Sequence, residues 1–158
     1  MMNAIRSIKS AAPACAAGLL LSAVLMAAGC AGQPVELGNL YQRLGGETGV
    51  ATLANDIMQN VEQDPRVKEP FAKADGPNFK QMLANRICEI GSGPCTDDGE
   101  SMPAALRTLA LSNEQFDAFI GDFAKALDAH GVGPDSQRKL LFPFKAMRGG
   151  ALGMTEGS

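Results

Sequence analysis

The side chains able to do chemistry are few. The 158-residue chain holds one histidine, His130, and four cysteines, Cys15, Cys30, Cys88 and Cys95. A single histidine excludes most His-rich metal sites and any plausible Ser-His-Asp arrangement. No Gly-rich phosphate loop closed by Gly-Lys-Ser/Thr occurs. Asp97-Asp98-Gly99-Glu100 is an acidic cluster resembling part of a calcium loop. It lacks the spaced ligands and closing glutamate of an EF-hand, so it reads as a solvated loop. His130, beside Gly131, reads as a solvated helix-end residue interacting with the helix dipole. No catalytic constellation is present, and the chain does not read as an enzyme.

The first thirty residues read as an address. Arg6 and Lys9 precede an apolar run from Ala11 to Ala28, which ends in Ala27-Ala28-Gly29-Cys30. A basic head, an apolar stretch and small residues before a cut make a secretory signal peptide. The run is about as long as a spanning helix needs to be, but Pro13, Gly18 and the small-residue end favour cleavage. The cysteine after Ala-Ala-Gly resembles the lipobox of bacterial lipoproteins. That resemblance implies a diacylated Cys30, and Ala31 in place of an aspartate implies the outer membrane. Each buried methylene of such an anchor contributes about 0.8 kcal/mol. The expected organisation is a signal peptide over 1–29, a lipidated tether over 30–39, a domain over 40–152 and a flexible tail over 153–158. The tether's Ala31–Asn39 stretch is short and polar.

Cysteine use agrees with that address. Cys15 leaves with the signal and Cys30 is the lipid site. Cys88 and Cys95 remain in an oxidising compartment, with no CxxC motif and no histidine nearby, so a disulfide is expected. Closing so short a loop stabilises by about 2–3 kcal/mol in the chain-entropy picture.

Composition narrows the partners. Fourteen basic and 17 acidic residues give a net charge of −3. Removing 1–29 takes two bases and no acid, which leaves −5. That disfavours electrostatic attraction to nucleic acid or to anionic lipid, and no nucleic-acid partner is expected. A hydrophobic fraction of 46% suits a globular domain.

Helices must position whatever site exists. Val50, Leu53, Ile57 and Val61 recur at three- and four-residue steps and stop at Asp64-Pro65. Phe79, Met82, Leu83, Ile87 and Ile90 do the same and stop at Gly91. Phe116, Phe119, Ile120, Phe123 and Leu127 form the clearest stripe, opened by the capping-box pattern Ser112-Asn113-Glu114-Gln115. A last helix follows Asp135 and contains Pro143, which removes one backbone bond and predicts a kink. Ser101–Leu109 is a short helix at best. No run alternates with period two, so an all-α fold is expected.

The order of punctuation says more. Leu40-Tyr41-Gln42-Arg43-Leu44-Gly45-Gly46 opens the domain; Asp64-Pro65-Arg66-Val67, Phe71, Phe79-Lys80, Gly93-Pro94, Gly99 and Met102 follow. Over about residues 40–152 this resembles a group 1 truncated haemoglobin. The resemblance implies a shortened globin, a two-over-two helical sandwich around haem b, with oxygen binding or nitric oxide detoxification as its activity. It places the haem-pocket positions at Met58, Phe71, Phe79, Met82, Leu83 and Leu106.

At those positions the family's chemistry is missing. The proximal histidine that ligates iron falls on Leu106, which has no lone pair. The distal tyrosine and glutamine fall on Met58 and Leu83, which donate no hydrogen bond. The base that pairs with a haem propionate falls on Met82. Two readings follow. One is a haem-free, globin-fold envelope lipoprotein, a binding module whose apolar pocket, lined by Leu106, Leu83, Met58 and Phe79, takes a small apolar ligand or is closed by its own side chains. The other is a haem-binding truncated globin with atypical ligation, with Met58, Met82 and Met102 as thioether candidates, although methionines at helical spacing serve more often as core filler.

Overall fold

The computed structural model describes residues 39–97 and 99–152. The expected signal peptide, the lipid site Cys30 and the 153–158 tail lie outside the described residues. Eight helices occur among them: α1 (Leu40–Arg43), α2 (Gly46–Gln63), α3 (Lys68–Phe71), α4 (Gly76–Ile90), α5 (Ser101–Thr108), α6 (Asn113–Ala129), α7 (Pro134–Ala146) and α8 (Arg148–Ala151). No strand is present among the described residues.

Each long helix begins and ends for a local reason. The Leu-Gly-Gly break between α1 and α2 needs positive φ at Gly45 (93°) and Gly46 (64°), a region open to glycine at little cost. The chain thereby reverses within two residues and Glu47 enters the first turn of α2. This helix buries Val50, Leu53, Ile57 and Val61, as the stripe predicts, and ends at Asp64 in extended geometry before Pro65. The side chain of Asp75 accepts from the Asn78 N–H to cap α4, whose first turn contains Pro77. The capping box of α6 is complete: Ser112 Oγ accepts from Gln115 N at 3.2 Å and Gln115 Oε1 from Ser112 N at 2.9 Å.

Pro143 does not end the last long helix, which continues to Ala146. Proline leaves the Lys139 carbonyl without its helical donor. Lys139 is exposed, so water can take the freed acceptor.

The α2 helix packs on α4 and α6, α6 on α7, and α4 on α7. The α2–α4 and α6–α7 pairs thus pack together around a single apolar core. The short α5 lies against α4 on one side and α8 on the other. Cys88 and Cys95 form a disulfide, with Cα atoms 5.9 Å apart, closing the loop that leaves α4. The α1 segment is fastened to the same corner, since the Tyr41 N–H donates to the Gly91 carbonyl at 2.8 Å.

Candidate functional site

The six expected pocket positions fall on four elements. Met58 is on α2, Phe71 on α3, Phe79, Met82 and Leu83 on α4, and Leu106 on α5. Five are buried: Leu83 and Leu106 are 0% exposed, and Met58, Phe71 and Phe79 are nearly so. Met82 is half-buried against the core. The fold therefore brings the positions to one side of the core, between α4, α5 and the α2–α3 corner.

Four of them line two adjoining clefts. A cleft of about 680 Å³ opens at the α2–α3–α4 corner, with Met58 and Phe71 at its floor and Glu62, Lys68, Glu69 and Lys73 around it. A neighbouring cleft of about 450 Å³, which shares Lys73 and Ala74 with the first, runs between α4 and α5, lined by Phe79 and Met82 on one wall and Ala105, Thr108 and Leu109 on the other. Leu83 and Leu106 line neither. Of the four residues expected to line one pocket, Met58 borders the first cleft and Phe79 the second, while Leu83 and Leu106 are fully buried in the core.

Aromatic packing fills the core beside these clefts. The Phe71 ring stacks on Phe119 at 5.3 Å between centroids and meets Phe79 edge-on at 5.2 Å. Phe79 meets Phe119 edge-on at 6.4 Å, and so does Phe116. Edge-to-face and offset rings at such distances are the preferred arrangements of aromatic quadrupoles. The periodic stripe marks Phe119 as core, but nothing in its spacing says that it meets residues of α3 and α4.

The positions that the resemblance gives to the proximal ligand and the distal glutamine are Leu106 and Leu83. The side chain at Leu106 is hydrocarbon, and so is that at Leu83. The thioethers of Met58 and Met102 are buried in the apolar core. The described residues contain no group of three or more His, Cys, Asp or Glu able to hold a metal ion.

The only histidine lies elsewhere. His130 is the C-cap of α6, as its position beside Gly131 predicts. Its Nε2 lies 2.7 Å from Asp56 Oδ2 on α2, a partner 74 residues away that no local pattern indicates. The acidic loop also differs from expectation. Asp97 is not solvated: its side chain is only 6% exposed and its Oδ2 accepts from Arg86 at 3.0 Å. Burying the carboxylate is offset by the guanidinium beside it. Asp98 lies outside the described residues.

One charged cluster escaped sequence reasoning altogether. At the C-terminus of α2, Asp64 accepts from Arg66 through its backbone N–H at 2.9 Å and through its guanidinium. Those hydrogen bonds hold the Asp64 carboxyl down at about 2. Asp122 on α6 is only 6% exposed, and its Oδ2 has no hydrogen-bond partner. Burial first, and then the charge of Asp64, pushes the Asp122 carboxyl above its ordinary range.

With this geometry in view, comparison with known proteins is direct. The family model described as bacterial-like globin matches residues 39–152. The chain belongs to the bacterial-like globin family. Among curated globins it is 30% identical over 103 residues to the group 1 truncated haemoglobin GlbN of Synechocystis sp., covering 63% of this chain and 83% of that one. It is 29% identical over 93 residues to the group 1 truncated haemoglobin of Tetrahymena pyriformis, covering 59% and 77%. The solved Fe(III) form of a truncated haemoglobin from T. pyriformis superposes with a TM-score of 0.63 at 25% identity, over 73% of this globin and 98% of that chain. A 2/2 haemoglobin from Synechococcus sp., solved with covalently attached haem, superposes with a TM-score of 0.65 at 24% identity, over 73% and 99%. The α2–α4 and α6–α7 pairs are accordingly those of a truncated globin, the all-α fold expected from the sequence.

Proposed function

We propose that this globin is a lipid-anchored protein of the bacterial cell envelope, with Cys30 as the acylated residue, that uses the globin scaffold for binding and not for iron chemistry. The observation that carries this reading is the state of Leu106. It stands where the resemblance puts the proximal histidine, it has no lone pair, and it is fully buried in continuous core with Leu83, Met102 and Phe79. Phe71, Phe79 and Phe119 support the same reading, because rings in mutual contact leave little room for a flat macrocycle between them. A ligand would then be small and apolar or amphipathic. The cleft floored by Met58 and Phe71, with two lysines and two glutamates at its rim, suits such a molecule.

The alternative reading, a truncated haemoglobin that binds oxygen or detoxifies nitric oxide with atypical ligation, is favoured by the relatives, which are truncated haemoglobins solved in Fe(III) or haem-attached forms. A hemin titration separates the two. Residues 31–158, oxidised, are titrated beside Leu106→His while the Soret band is followed. Under the haem-free reading the wild-type chain gives only the broad signal of free hemin, and Leu106→His gives a globin-like spectrum. A sharp, saturable one-to-one spectrum from the wild type would overturn it and make Met58, Met82 and Met102 the ligands to replace. The anchor is tested separately, by the mass of the mature N-terminus in wild type and Cys30→Ser.

A further inference from the structure

The face of α7 that points away from the core carries an unusual combination. Phe142 is 73% exposed and is the exposed large hydrophobic residue among those described. A helix places residues three and four apart on one face, so Arg138, Lys139 and Lys145 surround it, and all three are exposed. Arg138 is paired with Asp135, while no ion pair to Lys139 or Lys145 occurs among the described residues. From Ser136 to Leu152 the chain has four bases and no acid, although the whole chain is net acidic. Arg148 is paired with Asp117 and lies over Phe116, so among the described residues Lys139 and Lys145 are the free cations flanking the exposed Phe142 ring.

We propose that this face of α7 docks on an anionic lipid bilayer, with the Phe142 ring in the interfacial layer and Lys139 and Lys145 against lipid phosphates. An aromatic ring flanked by cations on one face of a helix is the chemistry that such an interface selects. The net charge of the domain does not forbid it, because charges farther than a Debye length of about 8 Å are screened at physiological salt. Position supports it as well. Arg43 on α1 donates to Ser136 Oγ at 3.2 Å, so the N-terminal entry of the domain lies beside the start of α7. Phe142 is six residues further, about 9 Å along a helix. Residues 31–38 extend to about 26 Å, enough for a chain held at Cys30 to lay this face on the same membrane. The proposal rests on the lipid-anchor reading for that proximity.

The chain contains no tryptophan, so Phe142→Trp in the full chain, matured and purified from the cell envelope, gives a sole indole at the contact. The variant is reconstituted in vesicles of phosphatidylcholine alone and of phosphatidylcholine with phosphatidylglycerol, two parts to one, each with and without brominated lipid. The expected result is a blue-shifted emission quenched by brominated lipid in the anionic vesicles. That quenching should fall by about tenfold when Lys139→Gln and Lys145→Gln are added. Emission that stays solvent-like in both vesicles overturns the proposal. So does quenching that is equal in both vesicles or indifferent to the lysines, and so does a blue shift that follows protein concentration in place of lipid, which would mark contact with a second copy. Failure of the anchor reading shows independently as an unmodified mature N-terminus by mass, and the indole then reports binding of the unanchored chain to the same vesicles.

Discussion

Phe71 and Phe119 stack with their ring centroids 5.3 Å apart, joining the short α3 helix to the middle of α6. This contact packs the core beneath the α2–α3 corner. Phe119 also touches Phe79 and Phe116, so three elements depend on one ring. Phe119→Ala is expected to cost about 3–5 kcal/mol, the range for a large buried aromatic, as read from urea unfolding followed by circular dichroism. A loss below about 1 kcal/mol would mean the ring is not part of a packed core.

Acid should act on Asp64 and Asp122 in opposite directions. The folded value of Asp64 is about 2 against an ordinary 3.8. Its contribution is therefore present above pH 3.8 and is lost as pH falls toward 2. Asp64→Asn is expected to be less stable than wild type at pH 7, with the difference vanishing by pH 2. Asp122 is raised by burial, so the folded state favours its neutral form and gains stability as pH falls toward 3.8. Asp122→Asn lacks that gain and should be at least as stable as wild type at pH 7. Midpoints of urea unfolding across pH 2–7 decide it, and a Asp122→Asn protein much weaker at neutral pH would contradict the assignment.

The Cys88–Cys95 bridge and the opening of the domain support one another. A Cβ at Gly93 would lie 2.5 Å from Cys88 Sγ and 2.6 Å from the Tyr41 ring, closer than atoms can approach without displacement. Reduction is expected to cost about 2–3 kcal/mol by releasing a short loop. Gly93→Ala should leave a larger fraction of free thiol after refolding in air, measured by thiol titration. Complete oxidation at the wild-type rate would show that the corner tolerates the extra methyl group.

Tyr41 is instructive about the opening motif. Its side chain packs over Gly93 and near Gly46, and its backbone joins Gly91. The recognisable Leu-Tyr-x-x-Leu-Gly-Gly pattern thus holds a corner of the fold together and takes no part in the expected haem contacts. A sequence can preserve that corner and the globin fold while its iron-binding positions change, because separate residues carry the two.

Local rules made much of this protein readable in one dimension. Helix stripes, the capping box at Ser112, the stops at Asp64-Pro65 and Gly91, and the pairing of two neighbouring cysteines all depend on residues close in the chain. That Leu106, Leu83 and Met58 carry no N–H or O–H donor on their side chains is likewise plain without any coordinates. Tertiary structure alone decided where space remains. Whether four apolar side chains enclose a pocket or fill it depends on rings arriving from distant helices, and Phe119 reaches Phe71 across 48 residues of chain. The same holds for charge: Asp97 meets Arg86, Asp56 meets His130 and Asp122 is carried next to Asp64 only after the helices pack. Burial, which sets both the cost of a charge and the volume of a site, is a property of the packed helices together and of no single segment.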